Sequence, residues 1–248
     1  MTPPPTSRVV RHVWRLLTVG LLLAACHGCA SVPNPDPRDP FEPFNRGVHV
    51  FNEGLDEAVF KPVATVYKEV TPRLVRTGVG NFLGNLDDAW SFVNSLLQGK
   101  LRHAMDNFFR FGVNTTFGLF GVLDVAGEMQ IERHSEDFGQ TLGRWGFGPG
   151  PYLVLPFFGP SDIRDAVALR VDSNGDIISH VDDISTRNSL RVLNVIDTRA
   201  NLLGLSSSLD EVALDKYSFT RDAFLQRRRN AVYDGDPPEL DSVTDPGR

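Results

Sequence analysis

The sequence predicts a mostly α-helical single domain. Apolar residues recur at helical spacing through most of the chain between residues 39 and 233, whereas strand patterns are sparse. The best short strand candidate is residues 151–156, and no internal repeat divides the chain. Once a leader of 25 residues is removed, 223 residues remain. This length suffices for one large domain.

Residues 1–25 have the pattern of a secretory signal peptide. Arg8, Arg11 and Arg15 precede an apolar run over residues 16–25, and the segment holds no acid. The run is shorter than the roughly 20 apolar residues that a membrane-spanning helix needs. A Pro-rich stretch follows, so residues 26–38 are expected to form a tether. At the other end, the acidic, Pro-rich residues 234–248 are predicted to be disordered.

Both cysteines of the chain lie just after the leader, in a C-x-x-C spacing. A redox pair belongs at a helix N-terminus inside a folded domain, and a zinc site would need two further ligands. The segment LAAC at residues 23–26 instead resembles the lipobox of bacterial lipoproteins. Cys26 is therefore the expected lipid anchor, with Cys29 as the alternative, because several acyl chains on one residue give lasting membrane attachment.

The first helix is expected to begin with Asp39 as N-cap, Pro40 at the first helical position and an acid at N3. An apolar stripe follows at Phe44, Val48, Phe51, Leu55 and Val59, and Pro62 is expected to close or kink the helix. Thr71-Pro72 marks another start, residues 86–97 a third helix that stops at Gly99, and Leu101 a fourth. Further helices are predicted at 136–145, 162–172, 182–203 and 210–233.

Two uncharged stretches depart from the pattern of a soluble helical protein, residues 111–123 and 145–161. Glycines interrupt both and prolines the second, so neither is a clean spanning helix. Two interpretations stand: a buried core segment with a tight turn, or a segment that enters a bilayer part way. All 17 Phe lie after the leader, and Phe suits either an apolar protein interior or a lipid-facing surface.

The composition and motifs exclude several classes of function. The formal net charge is −6, and −9 without the three Arg of the leader, whereas nucleic-acid binding demands a basic surface. No G-x-S-x-G, complete G-x-G-x-x-G or Walker A motif occurs. Ser135, beside His134, is interpreted as an N-cap rather than a nucleophile. The sequence predicts no enzyme, no cofactor and no metal site.

Seven segments closely resemble the MlaA/VacJ family of outer-membrane lipoproteins. They cover the chain almost continuously from residue 39 to about 234, and the longest is DFGQTLGRWGFGPGPYLVLPFFGPSDIRDAV at 137–167. The others are DPFEPFNR (39–46), KPVATVY (61–67), GNFLGNL (80–86), VNSLLQGK (93–100), RFGVNTTFG (110–118) and DTRANLL (197–203).

The resemblance implies a monotopic helical ring in the inner leaflet of the outer membrane of a Gram-negative bacterium, on its periplasmic face. An amphipathic channel would admit misplaced phospholipids from the outer leaflet and pass them to the periplasmic carrier MlaC. Trimeric porins are the other implied partner, and the function is maintenance of outer-membrane lipid asymmetry. The alternatives are a structural lipoprotein that scaffolds porins or envelope contacts, and a lipid-cleaving enzyme with Ser161 as its least poor nucleophile.

The resemblance also implies site residues. A glycine-rich hairpin beside the channel corresponds to Gly146, Gly148, Gly150 and Tyr152; it either shifts between states or is a static turn. The uncharged stretches supply the expected membrane contacts, which are Phe111, Phe117, Phe120, Phe157 and Phe158.

Two further surfaces have alternative interpretations. The helix over residues 44–61 is either packed through its stripe or a control surface at Phe51 and Asn52. A basic helix end either complements the helix dipole or docks the carrier or lipid phosphates. Its residues are Arg221, Arg227, Arg228 and Arg229.

Overall fold

The computed structural model describes residues 36–239, except for the side chains of residues 207–212. The signal peptide, both cysteines, most of the tether and the end of the tail lie outside the described residues. The described chain is a mostly α-helical single domain, as predicted. Its helices are α1 (Glu42–Leu55), α2 (Lys61–Val70), α3 (Arg73–Leu97), α4 (Leu101–Phe117), α5 (Val125–Glu128), α6 (Phe138–Arg144), α7 (Ile163–Gly175), α8 (Ile184–Val212) and α9 (Lys216–Val232).

Helices α1 and α2 are joined through a π-helical turn, Asp56–Phe60, so the helix neither ends nor breaks at Pro62. The π turn ends two residues before Pro62, and the N–H of Lys61 donates five residues back to the Asp56 carbonyl. This wider turn accommodates a proline, which has no N–H to donate. The prediction that Pro62 closes the helix was therefore wrong.

The start of α1 also differs from the prediction. The helix begins at Glu42 with no side-chain cap, and Asp39 is buried one turn earlier. The Asp39 carboxylate accepts hydrogen bonds from Asn45 Nδ2 at 2.8 Å and from the Tyr217 hydroxyl. Asp39 thus joins α1 to α9 rather than capping α1.

Helices α3 and α4 form a helical hairpin. The predicted start at Thr71-Pro72 and the predicted third helix belong to one 25-residue helix, α3. Gly99 lies in the connection with a φ of +74°, a left-handed conformation that favours glycine and ends the helix. The predicted stop and the start of α4 at Leu101 are confirmed.

The short strand candidate is confirmed as β1 (Tyr152–Leu155), which pairs antiparallel with β2 (Gly159–Asp162). The register sets Tyr152 opposite Asp162 and Leu155 opposite Gly159. Sequence reasoning missed β2 because Gly-Pro-Ser-Asp has no β-forming residue. Tyr152 and Val154 form a small apolar core with Tyr217, against which Val48, Phe224 and Leu225 pack.

Aspartates cap the later helices. Asp137 accepts the Gln140 N–H at 2.8 Å at the start of α6, so Asp137 is the N-cap and Ser135 is not. Asp162 caps α7 and Asp215 caps α9 in the same way. These caps fix the helix starts on either side of the β-hairpin.

Candidate functional site

The described domain has inverted polarity. Its largest fully buried side chains are mostly polar, and they include five asparagines: Asn45, Asn85, Asn94, Asn107 and Asn114. Conversely, most of the phenylalanines of α4, the hairpin and the turn after α4 are half or more exposed. A water-soluble domain usually buries phenylalanine side chains and exposes asparagine side chains. An exposed apolar surface of this extent marks contact with a membrane or a partner.

A charged network holds the polar interior together. The carboxylate of Asp88 lies 2.9 Å from Arg133 Nε and 3.4 Å from Arg110 Nε. Arg110 also donates to the Ile131 carbonyl at 2.6 Å and to Asp124 at 2.8 Å. Burial raises the pKa of Asp88, which Arg133 and Arg110 partly offset. The helical hairpin of α3 and α4 is thus joined by ion pairs and amide hydrogen bonds, while its apolar residues face outward.

Four of the five expected membrane contacts are strongly exposed. Phe117 and Phe120 flank the turn after α4, and Phe157 and Phe158 occupy the tip of the β-hairpin. Phe111 differs, because it is only partly exposed on α4. Within residues 36–239, no helix combines the length and the apolar character needed to cross a membrane.

A groove of about 420 Å³ lies between α1, the π turn, the β-hairpin, α8 and α9. Its lining combines charged side chains with apolar ones, which include the exposed Leu202 and Leu205 of α8. Its charged lining residues are Glu53, Asp56, Glu57, Lys61, Arg199 and Lys216. The groove is therefore amphipathic.

One ion pair fixes the width of this groove. Arg199 of α8 donates to both carboxylate oxygens of Asp56 in the π turn, at 2.6 and 2.7 Å. Bidentate pairs of this kind constrain orientation as well as distance. The pair sets α8 against the π turn, with Leu202 and Leu205 along the same helix. Sequence reasoning missed these residues, because nothing local to either segment indicates that they meet.

Two asparagines attach α1 to strand β1. Asn45 donates to the Tyr152 carbonyl at 3.1 Å and accepts the Val154 N–H at 2.8 Å. Asn52 repeats the pattern, donating to the Leu155 carbonyl at 3.0 Å and accepting the Phe157 N–H at 2.9 Å. The two are seven residues apart and lie on one helix face. That spacing is the sequence signal that could have found Asn45.

The expected control helix contacts the hairpin directly. Besides the Asn52 hydrogen bonds, the ring of Phe51 meets Phe157 edge-on, with the centroids 5.4 Å apart. Phe51 remains half exposed, as do Phe44 and Val59 of the same predicted stripe. These three residues of the stripe are therefore not core residues, although Phe51 does pack against the hairpin.

The glycine-rich segment precedes β1 and is exposed. Gly146 and Gly150 have φ angles of +94° and +70°, and a Cβ at Gly150 would lie 3.2 Å from the Ile163 Cβ. Gly148 is not in the left-handed region, and a Cβ there would meet no atom within 4 Å. Tyr152 is separate from these glycines, because its side chain is buried against Tyr217 rather than facing a channel. Burial and the nearby Asp39 raise the pKa of Tyr152.

We expect Gly146→Ala and Gly150→Ala each to lower the free energy of unfolding by about 1–2 kcal/mol, since an L-residue is strained at these φ angles. Gly148→Ala is the matched control, and its expected effect is within about 0.5 kcal/mol. Denaturation of the purified protein in detergent micelles measures all three. Equal effects at the three positions would contradict the conformational argument.

Two of the four arginines at the basic end of α9 form ion pairs within the fold. Arg221 is buried and pairs with Asp36 at 3.1 Å, and it also lies near Asp39. Arg228 pairs with both Asp137 and Asp165, joining α9 to α6 and α7. The docking role predicted for Arg221 and Arg228 is thus corrected to a structural one.

The other two arginines of this end differ from that pair. Arg227 is exposed, and Arg229 donates to the Pro238 carbonyl. Of the four arginines predicted to dock a partner, only these two therefore remain candidates.

A second cluster, His103, Glu136 and Asp234, places three potential metal-ligand atoms within 4.8 Å of one another. Lys100 already lies between the acids, with its Nζ 2.8 Å from Glu136 and 2.5 Å from Asp234. An ammonium in that position neutralises the carboxylates and competes with a cation. The cluster is best described as an ion-pair link between the start of α4 and the segment after α9.

Helical architecture, inverted polarity and an amphipathic groove together define a class of protein: predominantly helical and membrane-associated. A family model described as MlaA lipoprotein matches residues 37–231. The chain belongs to the MlaA lipoprotein family.

Individual relatives agree with this assignment. A protein of Escherichia coli K12, named intermembrane phospholipid transport system lipoprotein MlaA, is 36% identical over 219 residues, covering 86% of each chain. An uncharacterized protein of Rickettsia bellii is 34% identical over 207 residues, covering 83% of this chain and 79% of the relative. A solved structure, from work on the structural basis for maintenance of bacterial outer membrane lipid asymmetry, superposes with a TM-score of 0.70 at 35% identity. It covers 78% of this chain and 98% of that chain.

Proposed function

We propose that this chain is an outer-membrane lipoprotein that removes mislocalised phospholipids from the outer leaflet and passes them to the periplasmic carrier MlaC. Its action maintains the lipid asymmetry of the outer membrane. The names of its relatives, which describe phospholipid transport and outer-membrane lipid asymmetry, support this proposal.

The observation that carries the proposal is the amphipathic groove set in a domain of inverted polarity. A phospholipid has a charged headgroup and apolar chains, and the groove is lined both by charged residues and by Leu202 and Leu205. The exposed phenylalanines supply a surface that an apolar phase would cover, and burying each one contributes about 1.5–3 kcal/mol. A channel inside a leaflet needs both properties in one chain. Passage of a lipid requires no covalent step, so no catalytic residue is assigned.

The proposed organisation places a signal peptide at 1–25, a tether at 26–38 lipidated at Cys26, the helical domain at 39–233 and an acidic tail at 234–248. The domain would lie as a monotopic ring in the inner leaflet, around the groove. Trimeric porins are proposed as neighbours in the membrane. The glycine-rich hairpin, together with Phe51 and Asn52, is proposed as the moving part of the domain. The hydrogen bonds of Asn52 to Leu155 and Phe157 join α1 to the β-hairpin that directly follows this glycine-rich segment.

We expect the apolar surface to bind membranes even without the anchor. A variant with both cysteines changed to Ala should remain partly in the membrane fraction, and adding Phe117→Glu and Phe120→Glu should release it by about a hundredfold or more, since two large apolar side chains are lost. Phe219→Glu, at a half-exposed phenylalanine of α9, is the control. Membrane and soluble fractions are quantified by immunoblot. Release of the unanchored protein without the glutamates would contradict the apolar-surface assignment.

The proposed function is tested by surface-exposed phospholipid in cells that lack the gene. We expect an excess that the wild-type chain reverses and that the variant with both cysteines changed to Ala does not. If surface phospholipid is unchanged while the protein lies in the outer membrane, the transport function is wrong. A structural lipoprotein that scaffolds porins would then be the better description.

A further inference from the structure

A second cleft, separate from the groove, lies where the β-hairpin meets α7. Its volume is about 460 Å³. The hairpin contributes apolar side chains at the tip, and α7 contributes an apolar, a cationic and a hydroxyl side chain. The lining residues are Leu155, Pro156, Phe158, Leu169, Arg170 and Ser173.

Arg170 is the only charged residue on the exposed face of α7. The other exposed residues of this helix are Ile163, Val167, Val171, Ser173 and Asn174. An arginine among apolar side chains buries its stem and extends its guanidinium to the polar edge of the apolar surface. In a membrane, that edge is the level of the lipid phosphates.

Among the described side chains, no carboxylate forms an ion pair with the guanidinium of Arg170. The positions one helical turn away are Ala166, Val167, Ser173 and Asn174, and none of them is acidic. Ser173 itself donates to the Leu169 carbonyl at 2.7 Å. Elsewhere in this acidic chain, arginines at the helix contacts such as Arg110, Arg199 and Arg228 pair with aspartates. Arg170 is thus available to an external anion.

We propose that this cleft is a phospholipid subsite in which Arg170 binds the phosphate and the acyl chains lie along Phe158, Leu155 and Leu169. The inference rests on the proposed function and adds a second contact point for the same class of lipid. A guanidinium binds phosphate through two parallel hydrogen bonds, which an ammonium cannot reproduce. The apolar walls favour a phosphate that carries acyl chains over free phosphate. The cleft adjoins the exposed tip of the hairpin, so a lipid there would contact the segment that α1 holds.

The test is photolabelling of the full-length protein in native membranes. One probe is phosphatidylethanolamine with a diazirine in its acyl chain, and the matched probe is diacylglycerol with the same chain but no phosphate. Labelled peptides are located by mass spectrometry. The variants are Arg170→Gln, Arg170→Lys and the control Arg191→Gln, an exposed arginine of α8.

We expect phosphatidylethanolamine to label peptides containing residues 155–158 and 169–173. Arg170→Gln should lower this labelling about tenfold, because it removes a charge-assisted hydrogen bond, and Arg170→Lys should be intermediate. Arg191→Gln should leave labelling within about twofold. Diacylglycerol should label the cleft weakly, with no dependence on Arg170.

Three results would overturn the inference: no effect of Arg170→Gln, equal labelling by diacylglycerol, or complete competition by inorganic phosphate, which would identify a free-anion site. Labelling near Leu202 and Leu205 with none at the cleft refutes the subsite and leaves the proposed function standing. Absence of labelling at both places contradicts both.

Discussion

Arg110→Met is expected to lower the free energy of unfolding by about 3–5 kcal/mol, the usual effect of breaking a buried ion pair. The substitution leaves Asp88 buried with one cation, Arg133, and it also removes donors from Asp124 and the Ile131 carbonyl. The penalty comes from the unpaired groups left behind rather than from the lost attraction. Denaturant or thermal unfolding in detergent micelles measures the change.

Arg102→Met is the matched control on the same helix. Arg102 is strongly exposed and lies 3.9 Å from Asp106, so we expect a loss below about 1 kcal/mol. Similar effects at the two positions would mean that the polar interior does not hold α3 and α4 together. The double variant Asp88→Leu with Arg110→Met, which removes both charges, should recover part of the loss.

Filling the groove is expected to produce the largest loss of lipid binding. Leu202→Trp with Leu205→Trp places two large side chains in the groove, where a bound lipid would lie. Overpacking of this kind usually costs enough free energy to lower the lipid occupancy of the groove about tenfold or more. The leucines are exposed, so the fold should tolerate the change. Phospholipid per protein after purification, measured by mass spectrometry, gives the occupancy.

Val195→Trp is the control for this experiment, because it adds the same side chain at a half-exposed position of α8 that does not line the groove. Its phospholipid content should equal that of the wild type. Unchanged phospholipid in the double tryptophan variant, with the protein folded, would remove the groove as the site of binding.

The mostly helical class, the stop at Gly99 and the strand at 152–155 were predictable, because each depends on local periodicity or on a glycine. The end of the helix predicted at Pro62 does not occur, because a π turn lets the helix continue past a proline that has no N–H to donate. No local sequence pattern predicts such a turn. The stripe of α1 was misjudged for a different reason. Periodicity identifies an apolar face but does not reveal whether protein or lipid covers it.

The candidate site was less predictable than the fold. The exposed phenylalanines of the uncharged stretches were found because absence of charge is visible in the sequence. Arg221 and Arg228 were misassigned because their aspartate partners are far away in the chain, at residues 36, 137 and 165. The groove was missed for the same reason: Asp56 and Arg199 are 143 residues apart.

The most direct test of phospholipid retrieval through the groove is the amount of surface-exposed phospholipid in cells that lack the gene and express one variant each. Cells with the wild-type chain or Val195→Trp should have a normal outer leaflet. Cells with Leu202→Trp and Leu205→Trp should accumulate surface phospholipid like cells without the gene, although the protein reaches the outer membrane at normal levels. Normal surface phospholipid in the groove-filled cells would contradict the proposed function.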